Sequence, residues 1–159
     1  MADRERQDAL LALLNSTPVV DGVVTDRLAA AGGAAADEMS SLVRARDALQ
    51  DVVRGDRPAT SLAPLLDGVT SHPDVSSAGV SWQVEAPAGR RKAVEAVLTW
   101  SAVQQTLPGR LRPCANPECR LFLLDRSKAN KARWCSMAVC GNRMKARRHH
   151  QRVREAAGE

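Results

Sequence analysis

The segment Cys114-Ala115-Asn116-Pro117-Glu118-Cys119 and, after fifteen residues, the segment Cys135-Ser136-Met137-Ala138-Val139-Cys140 decide how this sequence is read. They hold all four cysteines of the 159-residue chain, and both pairs share a C-x4-C spacing. Each pair can present two thiolates from one tight turn, and a hairpin-sized gap lets the pairs face each other. That arrangement suits one tetrahedral zinc ion, which binds four thiolates at about 2.3 Å. Four protein ligands leave no position for water, so the zinc is expected to be structural and not hydrolytic. Two disulfides would use the same residues. Met1 to Gln7, however, alternates acidic and basic side chains and lacks the apolar core of an export signal, which argues for a reducing, cytoplasmic setting.

Residues around the cysteines extend this reading. Leu121 to Leu124 reads as a short strand, Asp125 to Lys131 as a polar turn, and Ala132 to Trp134 as the return, a hairpin between the ligand pairs. Ser136 is placed to cap a helix starting at Met137, with Cys140 in its first turn. Knuckle, hairpin and helix together make a treble-clef-like module. Phe122, Trp134, Met137 and Met144 are its expected apolar cluster. So small a core leaves much of the folding energy to the metal.

The helix beyond Cys140 is strongly cationic. Arg143, Arg147, His150 and Arg154 share one face, Lys145, His149 and Arg152 a neighbouring one, and only Met144, Ala146 and Val153 are apolar. Such a helix repels itself unless phosphates or an acidic surface neutralise it. Arg126, Lys128, Lys131 and Arg133 of the gap add to it. Candidate nucleic-acid contacts are therefore Arg126, Lys128, Lys131, Arg133, Asn142, Arg143, Lys145, Arg147, Arg148, Gln151 and Arg152. Charge is divided along the chain. Residues 1–108 hold 10 Lys/Arg against 14 Asp/Glu, and residues 109–159 hold 13 against 4. An acidic body joined to a basic module outlines a sensing or docking domain attached to a polyanion binder. DNA is the leading partner, and RNA stays open, although 3% aromatic residues argue against single-strand recognition. The rival reading is an interaction adaptor whose basic helix meets an acidic partner, such as part of the transcription machinery or the body of a second copy.

The body, residues 1–108, reads as mainly α with a minor β element. Helices are expected over about Arg4–Leu14, after Thr25 or Asp26 as far as Gly32-Gly33, through Met39, Leu42, Leu49 and Val53 to a stop at Gly55, from a Ser61 cap, and over about Arg90–Leu107. Arg46 falls on the apolar stripe of its helix, so it is either buried with an acidic partner or snorkelling. Ser71 to Gly79 reads as loop. Val80, Trp82 and Val84 alternate with polar residues as one strand without an evident partner. Pro108-Gly109 marks the boundary with the second domain, residues 109–159. A homodimer through the helical body is one option. No apolar run is long enough to span a membrane. No Ser/His/Asp set, carboxylate pair or phosphate-cradling loop suggests an enzyme, and His72 has no evident catalytic partner.

Cys114, Cys119, Phe122, Asp125, Ser127, Arg133-Trp134-Cys135-Ser136-Met137, Cys140-Gly141-Asn142-Arg143 and Lys145 together resemble the CGNR zinc finger. Weaker likenesses at Leu13–Thr17, Asp26–Leu28 and Leu42–Leu49 resemble the ABATE domain that precedes this finger in a family of stress-induced transcriptional regulators of bacteria. The resemblance implies a mostly helical first domain with a small sheet, zinc on Cys114, Cys119, Cys135 and Cys140, and DNA binding by the finger. Within the namesake motif, Gly141 is expected to allow a close backbone approach. Asn142 is expected to bond thiolates or turn backbone. Arg143 is expected either to pair with Asp125 or to read DNA.

Overall fold

The computed structural model describes residues 3–28 and 36–158. About half of the chain is helical, and its small sheets are antiparallel. Helix α1 spans Asp3–Leu14, α2 Ala36–Arg54, α3 Arg91–Thr106 and α4 Asn142–Ala156. Leu10 and Leu14 of α1, Leu49 of α2 and Ala96, Val97 and Val103 of α3 meet in one core, which Leu62 closes from a 3-10 helix at Ala59–Leu66. That helix starts two residues ahead of the Ser61 expected to cap it, and the Ser61 hydroxyl instead donates to the Pro58 carbonyl. Of the expected second helix, Thr25 to Leu28 form extended chain and a turn, with the Asp26 carboxylate accepting from the Leu28 N–H. Its remainder, 29–35, lies outside the described residues.

Three two-stranded hairpins complete the fold: β1 (Val19–Val20) with β2 (Val23–Val24), β3 (Thr70–Ser76) with β4 (Gly79–Glu85), and β5 (Leu111–Pro113) with β6 (Phe122–Leu124). The strand read at Val80–Val84 does have a partner, supplied by residues read as loop. Pro73 and the polar side chains of β3 hide it, because both its faces meet solvent and no apolar alternation is required. The β1–β2 hairpin was not expected from sequence, although Asp21-Gly22 lies between two Val-Val pairs. Both turn residues have positive φ, 50° and 81°, as a tight hairpin turn demands.

Arg46 is buried, 3% exposed, and its guanidinium meets Asp26 and Asp47 at 2.8 Å and the Ser16 hydroxyl at 3.3 Å. One turn along α2, the Gln50 amide donates to the Leu14 carbonyl and the Thr17 hydroxyl, both at 2.8 Å. These bonds satisfy the chain as it leaves α1, where Pro18 prevents further helix. Ser16, Thr17, Asp26, Arg46 and Asp47, all within the N-terminal likeness, belong to this polar network.

The core does not stop at Pro108. Leu111 and Phe122 belong to the same cluster as Leu14 and Leu49, and Phe122 is 1% exposed. Asn15 fixes this junction. Its side-chain oxygen accepts from the Phe122 N–H at 2.7 Å, and its amide donates to the Phe122 carbonyl at 3.1 Å. Arg54 of α2 stacks over the Phe122 ring, 4.6 Å from its centroid, and donates to the Arg120 carbonyl. Phe122 therefore packs in the body, away from the metal cluster expected from sequence.

Replacing Asn15 by Ala leaves both backbone groups of Phe122 without their partner. The expected cost is about 1–3 kcal/mol, read as a lowered urea midpoint. An unchanged midpoint would show that the junction contributes nothing to folding.

A four-sulfur centre at the head of a cationic helix

The first ligand pair sits where the β5–β6 hairpin closes. Beyond the Pro113–Phe122 pair, the Cys114 N–H donates to the Leu121 carbonyl at 2.8 Å. Asn116 shapes the knuckle between the cysteines. Its carbonyl accepts from the Cys119 N–H and its side-chain oxygen from the Glu118 N–H. The second pair sits at a helix start. Ser136 is extended, its hydroxyl accepts from the Val139 N–H at 3.4 Å, and its carbonyl accepts from the Gly141 N–H at 3.0 Å. The expected cap is present. The first turn, Met137–Gly141, is the wider i to i+5 kind, and it carries Cys140 inward before α4 continues.

All four sulfurs lie within 4.8 Å of one another. Cys119 Sγ is 3.7 Å from Cys135 Sγ, which is 3.7 Å from Cys140 Sγ. These distances are far longer than a disulfide bond of about 2.05 Å. They match the edge of about 3.8 Å expected for a tetrahedron of thiolates around zinc. The donors suit sulfur anions as well: the Asn116 amide reaches Cys140 Sγ and the Cys135 N–H reaches Cys114 Sγ, both at 3.4 Å. Asn116, 1% exposed, is the site residue that sequence reading missed, and its place in the first knuckle was the available signal. The four sulfurs fit one structural zinc ion, whose chemistry is to hold four thiolates without redox change.

Without a cation the cluster resists ionising. Burial pushes the Cys119 thiol up to about 11 and the Cys135 thiol higher still, with neighbouring sulfurs adding to the rise at Cys135. For Cys140 burial also raises the value, but hydrogen bonds from Asn116 and the other thiols outweigh it and the net shift is downward. A bound divalent ion reverses this balance by stabilising all four anions together.

Asp125 to Lys131 is a polar loop, but Ala132 to Trp134 is not the returning strand expected from sequence, because β6 pairs with β5 instead. Asp125 ties this loop down. Its side chain is 1% exposed, and it accepts from the Ser127 N–H, the Ala132 N–H and the Arg112 guanidinium at 2.8–2.9 Å. Bonds from Ser127 foremost, then from Ala132, and the charge of Arg112 hold its carboxyl down at about 2. Arg112 also donates to the Ala132 carbonyl and the Asn130 side chain. Asp125 thus pairs with Arg112. Arg143 is exposed and has no ion-pair partner among the described residues.

Gly141 has ordinary helical φ, so its role is spatial. A Cβ there would lie 2.8 Å from the Met137 sulfur and 3.2 Å from the Trp134 ring. The Asn142 amide donates to the Ala138 carbonyl and not to a thiolate. Of the candidate cations, Arg126 is held by Asp8 of α1 at 2.6 Å and Arg133 lies over Trp134. Lys128, Lys131, Lys145, Arg148 and Arg152 are exposed. Arg147 pairs with Glu118 of the first knuckle, lowering the Glu118 carboxyl and tying α4 to the opposite ligand pair. Gln151 bonds Glu155 within the helix.

Fold and sulfur geometry define a zinc-finger module whose second knuckle opens a basic helix. Residues 110–153 match the model of the CGNR zinc finger family. No curated protein matches the chain.

Two measurements examine the centre. Cys119→Ser or Cys135→Ser should abolish stoichiometric zinc, and near-ultraviolet dichroism should show lost packing on both sides of residue 108, since Leu111 and Phe122 share the body core. Full zinc retention in both variants would refute the assignment. Asn116→Ala should weaken zinc binding about 10–100-fold in competition with a chromogenic chelator, the usual effect of losing a partner of a metal ligand.

Proposed function

We propose that this chain is a DNA-binding transcriptional regulator in which a structural zinc ion orients a basic helix on the duplex. One observation carries the reading: α4 is helical over Asn142–Ala156 yet buries no residue. Its chief packing is against the turn that holds Cys140, so nearly all of its surface is free. It bears Arg143, Lys145, Arg147, Arg148, Arg152 and Arg154 against a single acid, Glu155. A helix with no apolar face gains little from its own protein and is marginal alone. Phosphates supply the missing counter-charge, and the major groove admits a helix of this width.

Exposed Arg148, Arg152 and Lys145 are the phosphate contacts of this reading, with Lys128 and Lys131 of the loop beside them. Arg147 and Arg126 hold the module in shape through Glu118 and Asp8. The body ahead of the finger acts as its ABATE-type partner domain. The buried Arg46–Asp26–Ser16 network, formed by the residues that resemble that domain, supports this.

Arg148→Ala with Arg152→Ala should leave zinc bound and lower affinity for duplex DNA, with the slope of log affinity against log salt falling by about 2. Filter binding over a salt series measures it. Absence of DNA binding by the zinc-loaded wild type, or binding without salt dependence, would defeat the proposal. Tighter binding to structured RNA would redirect it, and capture of an acidic protein that survives nuclease treatment would favour the adaptor.

A further inference from the structure

The β3–β4 hairpin is amphipathic, yet every one of its strand residues is exposed. Cross-strand pairs Ser71–Val84, Pro73–Trp82 and Val75–Val80 share one face, and Thr70–Glu85, His72–Gln83, Asp74–Ser81 and Ser76–Gly79 the other. The first face is apolar: Val75 is 77% exposed, Val80 65% and Trp82 66%. A cleft of about 480 Å³ separates Trp82 and Val84 from Val94 and Leu98 of α3, so the protein's own helix does not cover it. An isolated two-stranded hairpin is marginal in water and gains from a further strand.

Pro73 shows where that strand goes. Lacking an N–H, it must sit in a pair that exchanges no ladder bonds with β4. Its side of β3 is then a blunted outer edge. By alternation, the backbone groups of β4 that point away from β3 are those of Val80, Trp82 and Val84. Among the described residues no strand lies beside them. They form an open, unblunted edge seven residues long.

We infer that this edge pairs with β4 of a second copy, antiparallel about a two-fold axis at Trp82, giving a four-stranded sheet. The register is self-complementary. Trp82 lies midway along Gly79–Glu85, so a two-fold there sets Trp82 against itself and Val80 against Val84, all with outward-facing backbone groups. The charges agree. Glu85 falls opposite Gly79 and Ser81 opposite Gln83, so no like charges meet. The two apolar faces merge into one. In the joined sheet Val80, Trp82 and Val84 of one copy flank those of the other across the seam, so apolar side chains meet cross-strand neighbours on both sides. This pairing stands independently of what α4 binds.

Sedimentation of the zinc-loaded full chain in the micromolar range tests it, together with hydrogen exchange. A concentration-dependent dimer is expected, with the Val80, Trp82 and Val84 amides becoming more protected as concentration rises. Val84→Pro removes an outward N–H without touching the β3–β4 ladder, and Trp82→Arg sets two guanidinium groups together on the axis. Each should weaken the dimer by an order of magnitude or more while zinc content and far-ultraviolet dichroism stay unchanged. A wild-type monomer across that range, or a dimer in which those three amides exchange freely and both variants still associate, overturns the inference.

Discussion

Four sulfurs within 4.8 Å of one another, two of them buried and two partly buried, are the constraint on which the rest of the C-terminal half depends. Burial, and repulsion from neighbouring sulfurs, raise the Cys119 and Cys135 thiols. A divalent ion turns that repulsion into attraction at four points of the chain at once. Two of these points close the β5–β6 hairpin and one lies in the first turn leading to α4. A bound ion would therefore set the angle between hairpin and helix, alongside the Arg147–Glu118 pair, the Asn116–Cys140 bond and the close approach of Trp134 and Met137 to Gly141.

That angle would have little meaning if the finger swung freely on the body. It does not, because Phe122 is shared. Its ring completes the core of α1, α2 and α3, and its backbone is held from both sides by Asn15. Arg54 covers the ring and bonds Arg120 next to the knuckle, while Asp8 holds Arg126. Any rearrangement at the end of α1 is felt at β6, one residue of which lies three positions from Cys119. The path from body to metal is short and made of direct hydrogen bonds and packing.

What the sequence disclosed follows from how local each signal is. Paired cysteines, a serine cap and a run of arginines are local patterns, so the sulfur cluster, the Ser136 cap and α4 were all legible. The long helices α2 and α3 were legible through their apolar period. Pairings across the chain were not. Leu111–Pro113 carries no strand signature of its own, so the hairpin was drawn on the wrong side of β6. For Asp125 the sequence suggested Arg143, and only the fold brings Arg112 within 2.8 Å. Asn116 looks like any turn asparagine until Cys140 arrives beside it. β3 escaped because a strand exposed on both faces needs no alternation, and its proline reads as loop.

Electrostatics also separates the two ends of the molecule. An acidic body disfavours approach of its own surface to phosphate and leaves α4, with six cations and one acid, as the part that a polyanion meets first. A two-fold at Trp82 would add a second helix held by the same rigid junction. A duplex that presents the same backbone pattern twice, related by its own two-fold, would then engage both helices with little further ordering. For fixed binding sites the second contact depends on effective concentration and not on new chemistry. Discrimination would come as much from the spacing between half-sites as from base edges, because a junction built on Phe122 and Asn15 cannot stretch to fit a different spacing.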